Sequence, residues 1–412
     1  MQRRVVVTGM GAITAIGNSV KEFWEGLLEG RNGVDTITRF DPSPFSTRFA
    51  AEIKNYNPDG VIDVRDQNRM DRYTQYAMIA AAEAISDSGL DLEKENLERI
   101  GVLVGSGIGG IESFENEHEK FIKRGPRRIS PYFVPQMISD IAAGQISIRW
   151  HLKGPNYSVV SACATGTHAI GDAMRLIKYG DADIMVTGGS EAAITPMGLG
   201  GFCAMKALST RNDDPHHASR PFDKDRDGFV IGEGAGILVI EELEHARKRG
   251  AKIYGEIRGI GFTADAYHIT APVPGGEGAV RAMRLCVEDS GLNLEDVDYI
   301  NAHGTSTPYN DKSETAAIKT LFGDHAYKLN ISSTKSMVGH LLGAAGAVEL
   351  ITAILAVKNN VVPPTINYET PDPECDLNYT PNAPQERTVN VAISNTFGFG
   401  GHNACMLVTK FE

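Results

Sequence analysis

Cysteine is scarce in this sequence of 412 residues, and the few copies are odd in number and widely spaced. Such a pattern excludes the dense disulfide framework of small secreted domains. No Cys-x-x-Cys pair occurs, so a structural zinc site is not expected, and we predict that the protein holds no metal. The cysteines are Cys163, Cys203, Cys286, Cys375 and Cys405.

Positive charge is also in short supply. Lys and Arg number 40 against 52 Asp and Glu, which gives a formal net charge of −12 at pH 7. General nucleic-acid binding requires a surplus of basic side chains that neutralise phosphates. A nucleic acid is therefore not expected as a partner.

Long apolar runs are absent as well. The most apolar stretch, residues 341–357, is interrupted by Glu349 and by two glycines, which favours a buried helix over a membrane span. The first seven residues lead into an apolar strand pattern without the features of a secretory signal. We expect a cytoplasmic protein with no membrane partner. Its ordinary composition, with 42% apolar residues, indicates a globular chain of two or three folding units.

Short β-branched strand patterns alternate with longer helical patterns along the whole chain. This alternation predicts an α/β fold, and the continuously apolar strands indicate a sheet that is buried on both faces. The second half repeats the plan of the first, which predicts two domains, residues 1–250 and 251–412, around one core. Strands are predicted over residues 5–8, 100–104, 157–160, 184–187, 253–261, 299–301 and 391–394, and helices over residues 21–29, 73–87, 166–179, 279–290 and 344–358.

Two motifs imitate ligand sites without completing them. Residues 9–14 follow a strand like a dinucleotide-binding loop, but the third glycine is missing, which favours a tight strand-to-helix turn. Residues 223–228 begin like a calcium-binding loop, but Gly234 stands at the twelfth position, where a bidentate Glu is needed. A charged turn is therefore favoured at residues 223–228.

Cys163 is the strongest candidate for chemistry. An apolar strand pattern leads into small residues around it, and a helical pattern follows, which predicts a sharp turn at a helix N-terminus. The helix dipole and unpaired N–H groups at such a position favour a thiolate and can bind an oxyanion. A buried structural cysteine is the alternative, and the local sequence leaves both interpretations open.

Two of the eleven histidines differ from the others, which mostly lie in polar stretches. His303 follows a strand among small and hydroxyl residues, and His340 precedes the long apolar helix. Lys335 and Glu349 flank His340 and could pair beside it. One cysteine and two histidines at strand-to-helix turns are consistent with covalent acyl chemistry.

Six ordered motifs together resemble the β-ketoacyl-acyl carrier protein synthases of the thiolase-like superfamily, most closely those of dissociated bacterial fatty acid synthesis. The resemblance covers essentially the whole chain. It implies a thiolase-like five-layered α-β-α-β-α sandwich, built from two pseudo-twofold-related halves, and a homodimer. The motifs are residues 160–166 (VSACATG), 220–223 (RPFD), 227–236 (DGFVIGEGAG), 301–307 (NAHGTST), 334–340 (TKSMVGH) and 395–401 (NTFGFGG).

The resemblance also implies residue roles in a decarboxylating Claisen condensation, which extends an acyl chain by two carbons and releases CO₂. Cys163 would be the nucleophile, and His303 and His340 would donate hydrogen bonds to the malonyl thioester oxygen. The backbone N–H groups of Cys163 and Phe399 would form an oxyanion hole, and Phe399 would also act as a gate. Lys335, paired with Glu349, would orient the region of His340. Ile108 and Phe202 would line the acyl channel, and Thr305 and Thr307 would hold the pantetheine arm.

The implied partner is an acyl carrier protein, in its acyl and malonyl forms, whose phosphopantetheine arm makes a resident cofactor unnecessary. Because carrier proteins are strongly acidic, a local basic patch has to override the net charge of this chain. An ordinary solvated loop is the alternative interpretation of its densest part, residues 123–128. The candidates for the patch are Arg65, Arg69, Lys123, Arg124, Arg127, Arg128 and Lys206.

Three other functions compete with this one. A thiolase would carry a second catalytic cysteine near the C-terminus followed shortly by Gly, whereas Cys405 is followed by Met406 and Leu407. A chain-length-factor-like scaffold would lack the active cysteine. A cysteine hydrolase would use one His with an Asn or Asp and would release a free acid without a condensation product.

Overall fold

The secondary structure of the computed structural model, which describes residues 3–411, follows the predicted alternation of strands and helices. The strands are β1 (Val5–Ile13), β2 (Asp35–Thr36), β3 (Phe49–Ala50), β4 (Ile100–Gly105), β5 (Asn156–Tyr157), β6 (Ile184–Glu191), β7 (Gly234–Glu242), β8 (Gly255–Ala264), β9 (Tyr299–Asn301), β10 (Asn330–Ser332), β11 (Val361–Val362), β12 (Gln385–Glu386), β13 (Val391–Gly398) and β14 (His402–Thr409). The α-helices are α1 (Val20–Glu29), α2 (Val64–Gln67), α3 (Arg72–Asp87), α4 (Ile111–Arg124), α5 (Phe133–Met137), α6 (Ile141–Trp150), α7 (Thr165–Tyr179), α8 (Pro196–Ala204), α9 (Leu243–Lys248), α10 (Glu277–Ser290), α11 (Pro308–Phe322), α12 (Lys335–Val338) and α13 (Ala345–Asn359).

Ten strands form one sheet in the order β10-β9-β13-β14-β8-β1-β7-β6-β4-β5. At its centre β1 and β8 pair antiparallel, with Val5 opposite Ile257 and Val7 opposite Gly255. Moving outward from that junction, each side adds one strand pair after another in the same sense: antiparallel, antiparallel, parallel, parallel. The two half-sheets therefore repeat one topology about a pseudo-twofold axis, as predicted.

Helices separate and cover these half-sheets. The helices α7 and α13 lie between them, where Ile170, Met174 and Ile354 pack in a shared apolar cluster with residues of both halves. The helices α3 and α6 cover the outer face of the first half-sheet, and α10 and α11 cover that of the second. The result is the predicted five-layered α-β-α-β-α sandwich.

Burial explains the apolar sequence of α13. Residues 342–359 are long and apolar enough for a membrane span, yet 89% of that window is buried inside the protein. A helix with sheets on both sides must be apolar all round. The prediction of a buried helix is confirmed, and so is the burial of the central strands, since every residue of β1, β6 and β7 is buried.

The prediction of a tight turn at residues 9–14 is wrong, because Gly9 and Gly11 lie inside β1. A Cβ atom at Gly9 would collide with the carbonyl oxygen of Ala84, and one at Gly11 with that of Ala80. These glycines therefore allow α3 to pack directly on the strand, which is a second reason for glycine besides a turn.

Two further boundaries, one of a strand and one between the two halves, are compared with those predicted from the sequence. The strand predicted over residues 157–160 is shorter, because β5 ends at Tyr157 at the edge of the sheet. The chain crosses between the half-sheets after Lys248, where α9 ends, and before Gly255, where β8 begins. The domain boundary near residue 250 stays a prediction, since both halves share the central apolar cluster.

Candidate active site

Cys163 lies in a single 3-10 turn, Ala162–Ala164, that runs directly into the N-terminus of α7. This is the position that its sequence context predicts. Ala162 has a φ of 51°, in the left-handed region that residues other than glycine rarely adopt. Cys163 is 7% exposed and lines a cavity, so its thiol combines burial with access for a ligand.

His340 lies closest to the thiol, with its Nε2 atom 3.0 Å from Sγ of Cys163. Its Nδ1 atom accepts the backbone N–H of Leu342 at 3.3 Å. A neutral imidazole with an acceptor at Nδ1 carries its hydrogen on Nε2. The neutral ring therefore presents a donor to the space beside the sulfur.

His303 lies next to His340 and is held from behind by Lys335. The two imidazole rings are 5.3 Å apart between centroids and nearly perpendicular, at 84°. The Nζ atom of Lys335 is 3.5 Å from Nδ1 of His303, and the same ammonium forms an ion pair with Glu349. An ammonium donates to Nδ1, so His303 also keeps its hydrogen on Nε2.

Burial sets the protonation of both histidines. It lowers the pKa of His303 and of His340 well below the usual value, and the neighbouring Lys335 cation lowers both further. The two imidazoles are therefore neutral at physiological pH. Neutral rings can donate hydrogen bonds to a developing oxyanion without themselves giving up a proton.

The pKa of the Cys163 thiol is shifted as well. Burial raises the pKa of Cys163 to about 12, and this is opposed by the Lys335 cation and by the backbone N–H of Phe399, which donates to the sulfur. The resting thiol is therefore protonated at neutral pH. The groups that oppose burial are those that would stabilise negative charge on the sulfur during a reaction.

The end of β13 approaches the nucleophile closely. A Cβ atom at Gly398 would lie 3.1 Å from the amide nitrogen of Cys163, so glycine permits this approach. The adjacent Phe399 is half-buried, and its backbone N–H group opposes the rise in the pKa of the Cys163 thiol. The end of β13 is therefore close to Cys163, as expected if the two N–H groups form the oxyanion hole that the family resemblance implies.

One cavity of about 620 Å³ joins the residues predicted to meet substrate. The hydroxyl oxygens of Thr305 and Thr307 lie 2.8 Å apart on its wall. Lys335 and Glu349 do not line the cavity and stand behind the histidines. The predicted residues on its wall are Cys163, His303, His340, Phe399, Thr305, Thr307, Ile108, Phe202 and Lys206.

The predicted basic patch is exposed throughout, but only Lys206 among its members lines the cavity. Arg69 is partly engaged already, since it pairs with Asp66 at 3.1 Å and stacks on Tyr132 at 4.9 Å. Arg65 and Arg69 lie in and just after α2, while Lys123, Arg124, Arg127 and Arg128 follow one another at the end of α4 and in the next turn.

Two buried carboxylates support the site. Neither was among the functional residues predicted from the sequence. Glu314 accepts the backbone N–H of His303 at 2.9 Å and that of Gly304 at 2.8 Å. Glu191 accepts the N–H of Gly107 at 2.8 Å and that of Gly343 at 3.0 Å. The partners of Glu191 are distant in sequence, whereas those of Glu314 lie in the loop just before its own helix. The only local signal is an acidic residue at an otherwise apolar or small-residue position.

The charged turn at residues 223–228 is present, with Asp223 and Arg226 buried and Lys224, Asp225 and Asp227 exposed. Arg226 donates to the carbonyl oxygen of Thr307 at 3.2 Å and to Asp372 at 2.6 Å. Asp223 pairs with Arg220 at 3.0 Å. These acidic and basic groups satisfy one another and support the loop that carries the cavity threonines.

The thiolase alternative is not supported by the position of Cys405. This residue is buried in β14, where its thiol donates to Oδ1 of Asn395 at 3.1 Å, and it does not line the cavity. The chain-length-factor alternative is not supported either, because Cys163 is present beside both histidines.

A cysteine at a helix N-terminus lies beside two neutral histidines on this duplicated sandwich, an arrangement typical of enzymes that transfer and condense acyl groups. Two family models match the chain: the N-terminal domain of beta-ketoacyl synthase over residues 2–246 and its C-terminal domain over residues 254–369. The chain therefore belongs to the beta-ketoacyl synthase family. It is an acyltransferase-class condensing enzyme of fatty acid elongation, which confirms the predicted function.

Individual relatives agree with the family. The chain is 56% identical over 410 residues to 3-oxoacyl-[acyl-carrier-protein] synthase 2 of Staphylococcus aureus, covering 100% of this chain and 99% of the relative. It is 54% identical over 411 residues to the Synechocystis protein of the same name, at 100% and 99% coverage. A solved beta-ketoacyl synthase from Burkholderia phymatum superposes with a TM-score of 0.91 at 36% identity, over 100% of both chains. A type II polyketide ketosynthase, solved in complex with its acyl-carrier protein, gives a TM-score of 0.94 at 34% identity, also over 100% of both chains.

Proposed function

We propose that this enzyme condenses an acyl chain bound to Cys163 with malonyl-acyl carrier protein, giving 3-oxoacyl-acyl carrier protein and CO₂. The observation that carries the proposal is the contact of 3.0 Å between Nε2 of His340 and the Cys163 thiol, with His303 beside it in the same cavity. A nucleophile and two neutral donors around one space provide what acyl transfer and decarboxylation each require.

Acyl transfer comes first. The sulfur of Cys163 attacks the carbonyl of the acyl thioester, and the resulting oxyanion lies between the N–H groups of Cys163 and Phe399. Collapse of this intermediate expels the carrier thiol, which leaves with the proton that the cysteine gave up. Such paired N–H donors lower the barrier for tetrahedral intermediates.

Decarboxylation follows in the same cavity. The carbon–carbon bond between the malonyl group and its carboxylate breaks, CO₂ leaves, and the electron pair moves into the thioester as an enolate. His303 and His340 donate hydrogen bonds to the enolate oxygen. Lys335, fixed by Glu349, orients His303 through its Nδ1 atom.

Condensation completes the cycle. The enolate carbon attacks the Cys163 thioester, the carbon–sulfur bond of that thioester breaks, and the cysteine sulfur takes up a proton from solvent. The new carbon–carbon bond gives a 3-oxoacyl chain on the carrier arm. Phe399, at the end of β13, stands where a gate between the acylated and free states would act.

The carrier protein would supply the phosphopantetheine arm, so a resident cofactor is not needed. Thr305 and Thr307 offer hydroxyls to this arm, and Ile108 and Phe202 line the path of the acyl chain. Lys206 is the member of the predicted basic patch that lines the cavity. Reversing Arg127 and Arg128 to Glu should raise the KM for carrier substrates in a salt-dependent way, and unchanged kinetics at low salt would exclude this patch.

A homodimer is part of the proposal and is supported by the sheet edge at β5. The opposite edge strand, β10, is buried under a later segment, with the N–H of Ile331 donating to Asn378. In contrast, Val160, which follows β5, and Ile148 of α6, which packs against β5, are 58% and 68% exposed. An apolar open edge is suited to pairing with a second copy. Val160→Lys should convert a dimer to monomers in light scattering, and a wild-type monomer would contradict this.

The cytoplasmic location likewise stays a prediction.

The decisive assay separates condensation from hydrolysis. The enzyme is given acyl- and malonyl-carrier proteins, and the products are resolved by mass spectrometry. The proposal predicts 3-oxoacyl-carrier protein and one CO₂ for each turnover. Free fatty acid without a condensation product would indicate a cysteine hydrolase.

A further inference from the structure

Thr165, the first residue of α7, closes the turn that carries Cys163. Its hydroxyl accepts the backbone N–H of Ser161 at 2.8 Å and donates to the carbonyl oxygen of Ala162 at 2.7 Å. The hydroxyl is therefore used both as acceptor and as donor. It bridges two residues of the turn immediately before the nucleophile.

The residue spanned by this bridge is the strained one. Ala162 adopts a φ of 51°, which an L-residue holds only when its surroundings enforce it. The Ala164 N–H to Ser161 carbonyl bond, at 3.1 Å, closes the same turn from the other end. The Thr165 hydroxyl and this backbone bond together fix the direction in which Cys163 leaves the turn.

Packing leaves the Thr165 side chain little rotational freedom. Thr165 is fully buried, and its Cγ2 methyl rests on Gly105, where any Cβ atom would collide with it. A β-branched side chain has few allowed χ1 rotamers. With the methyl seated against β4, the hydroxyl faces the turn.

We propose that Thr165 is a positioning residue for acyl transfer. Its hydroxyl holds Ala162 in the left-handed conformation and so aims the Cys163 thiol at His340 and sets the Cys163 N–H beside Phe399. This inference rests on the proposed role of Cys163 as the nucleophile. Thr165 itself does not line the cavity and touches no substrate.

The consequence for the reaction follows from geometry. Both the attacking sulfur and one oxyanion donor belong to Cys163, so a rotation of the turn displaces both at once. Displacements of about 1 Å in a catalytic group can cost about a hundredfold in rate. The walls that bind the acyl chain and the carrier arm belong to other segments, so their affinity should change little.

Three variants test the inference. Thr165→Val keeps the shape but removes both hydrogen bonds, and Thr165→Ser restores the hydroxyl without the methyl. Thr352→Val is the matched control, because Thr352 is also fully buried, in α13, and donates only to the carbonyl oxygen of Val348 at 3.1 Å. Thermal unfolding of all three shows what the substitution costs in stability alone.

The readout is single-turnover acylation of Cys163 by acyl-carrier protein, followed by intact-protein mass. Thr165→Val should lower the maximal rate by about tenfold or more, while the half-saturating carrier concentration changes by less than about twofold. Thr165→Ser should recover most of the rate, and Thr352→Val should acylate like the wild type. If Thr165→Val does not fold, Thr165→Ala takes its place with the same expected result.

Two results would overturn the inference: a wild-type rate in Thr165→Val, or a rate in Thr165→Ser that is as low as in Thr165→Val. Cys163→Ala is assayed in parallel. An acyl group on that variant would show that Cys163 is not the nucleophile and would refute the proposed function. That outcome is distinct from one in which Cys163 is the nucleophile but Thr165 does not position it.

Discussion

The two halves of the molecule present the same turn, but only one of them carries a reactive side chain. In the first half, Ala162–Ala164 leads into α7; in the second, Leu342–Ala344 leads into α13. Both turns open with a left-handed residue, at φ 51° for Ala162 and 48° for Leu342, and both helices have 15 residues. At the middle position stand Cys163 and Gly343.

The strand that faces each turn explains the difference. Cys163 meets the end of β13, where Gly398 and the N–H of Phe399 leave room and offer a donor. Gly343 meets the end of β6, where Glu191 accepts its N–H, and a Cβ atom there would lie 2.7 Å from a Glu191 oxygen. The duplicated scaffold thus provides two helix N-termini, one open for a substrate and one filled by a carboxylate.

The largest effect should come from removing the side chain that distinguishes the first turn. Cys163→Ala should lower condensation by about a thousandfold or more, because no other group can hold the acyl chain as a thioester. Some decarboxylation of malonyl-carrier protein should remain, since both histidines are intact. Product analysis together with CO₂ release measures the two reactions, and normal elongation by this variant would contradict the account.

A second change isolates the contribution of the other half. His303→Ala should lower decarboxylation by about 10²–10³-fold, the usual cost of one oxyanion donor. Acylation of Cys163 should persist, because His340 and the two N–H groups are unchanged. Labelled CO₂ and the mass of the acyl-enzyme report the two steps separately. Loss of acylation with normal decarboxylation would reverse the assigned roles.

A side chain added at Gly343 tests whether the turn before α13 has room for one, as the turn at Cys163 has. Gly343→Ala should lower the free energy of unfolding by about 1–3 kcal/mol, because the added Cβ would overpack against the backbone of Gly107 and against Glu191. The control is Gly144→Ala in α6, where the nearest heavy atom to an added Cβ is 3.8 Å away. That change should stabilise the protein by up to about 1 kcal/mol, as expected in a helix interior. Denaturant unfolding measures the free energy of unfolding of both variants. Equal stability of the two would show that the turn at Gly343 can accommodate a methyl group.

The smallest effect concerns the carboxylate that supports the His303 loop. Burial raises the pKa of Glu314 from its usual value to about 7, so the folded state binds a proton more tightly than the unfolded chain. Stability from this group is therefore present at low pH and is lost as pH rises from about 4.5 through about 7. Glu314→Gln should flatten the fall in unfolding free energy over that window. A slope identical to the wild type would exclude this titration.

The features that could be predicted from sequence are those that depend on residues close together along the chain. Small residues around Cys163 and the strand-to-helix pattern predict its turn, and strand alternation predicts a sheet covered by helices. The five-layered sandwich follows from the resemblance to a known family. The turn predicted at Gly9 and Gly11 is wrong, because these glycines permit close packing of α3 on the strand. Glu191 could not be predicted, since its partners come from distant segments that only the fold brings together. Glu314 could not be predicted either, because nothing in the sequence shows that α11 folds back on the His303 loop.

The central claim is that the turn at Cys163 performs the covalent chemistry. The most direct test is the intact mass of the enzyme after exposure to an acyl-carrier protein, with peptide mapping, followed by a chase with malonyl-carrier protein. The account predicts one acyl group on Cys163 that disappears on the chase as a 3-oxoacyl product, two carbons longer, is formed. An acyl group on another residue, or one lost on the chase only as free acid, would contradict it.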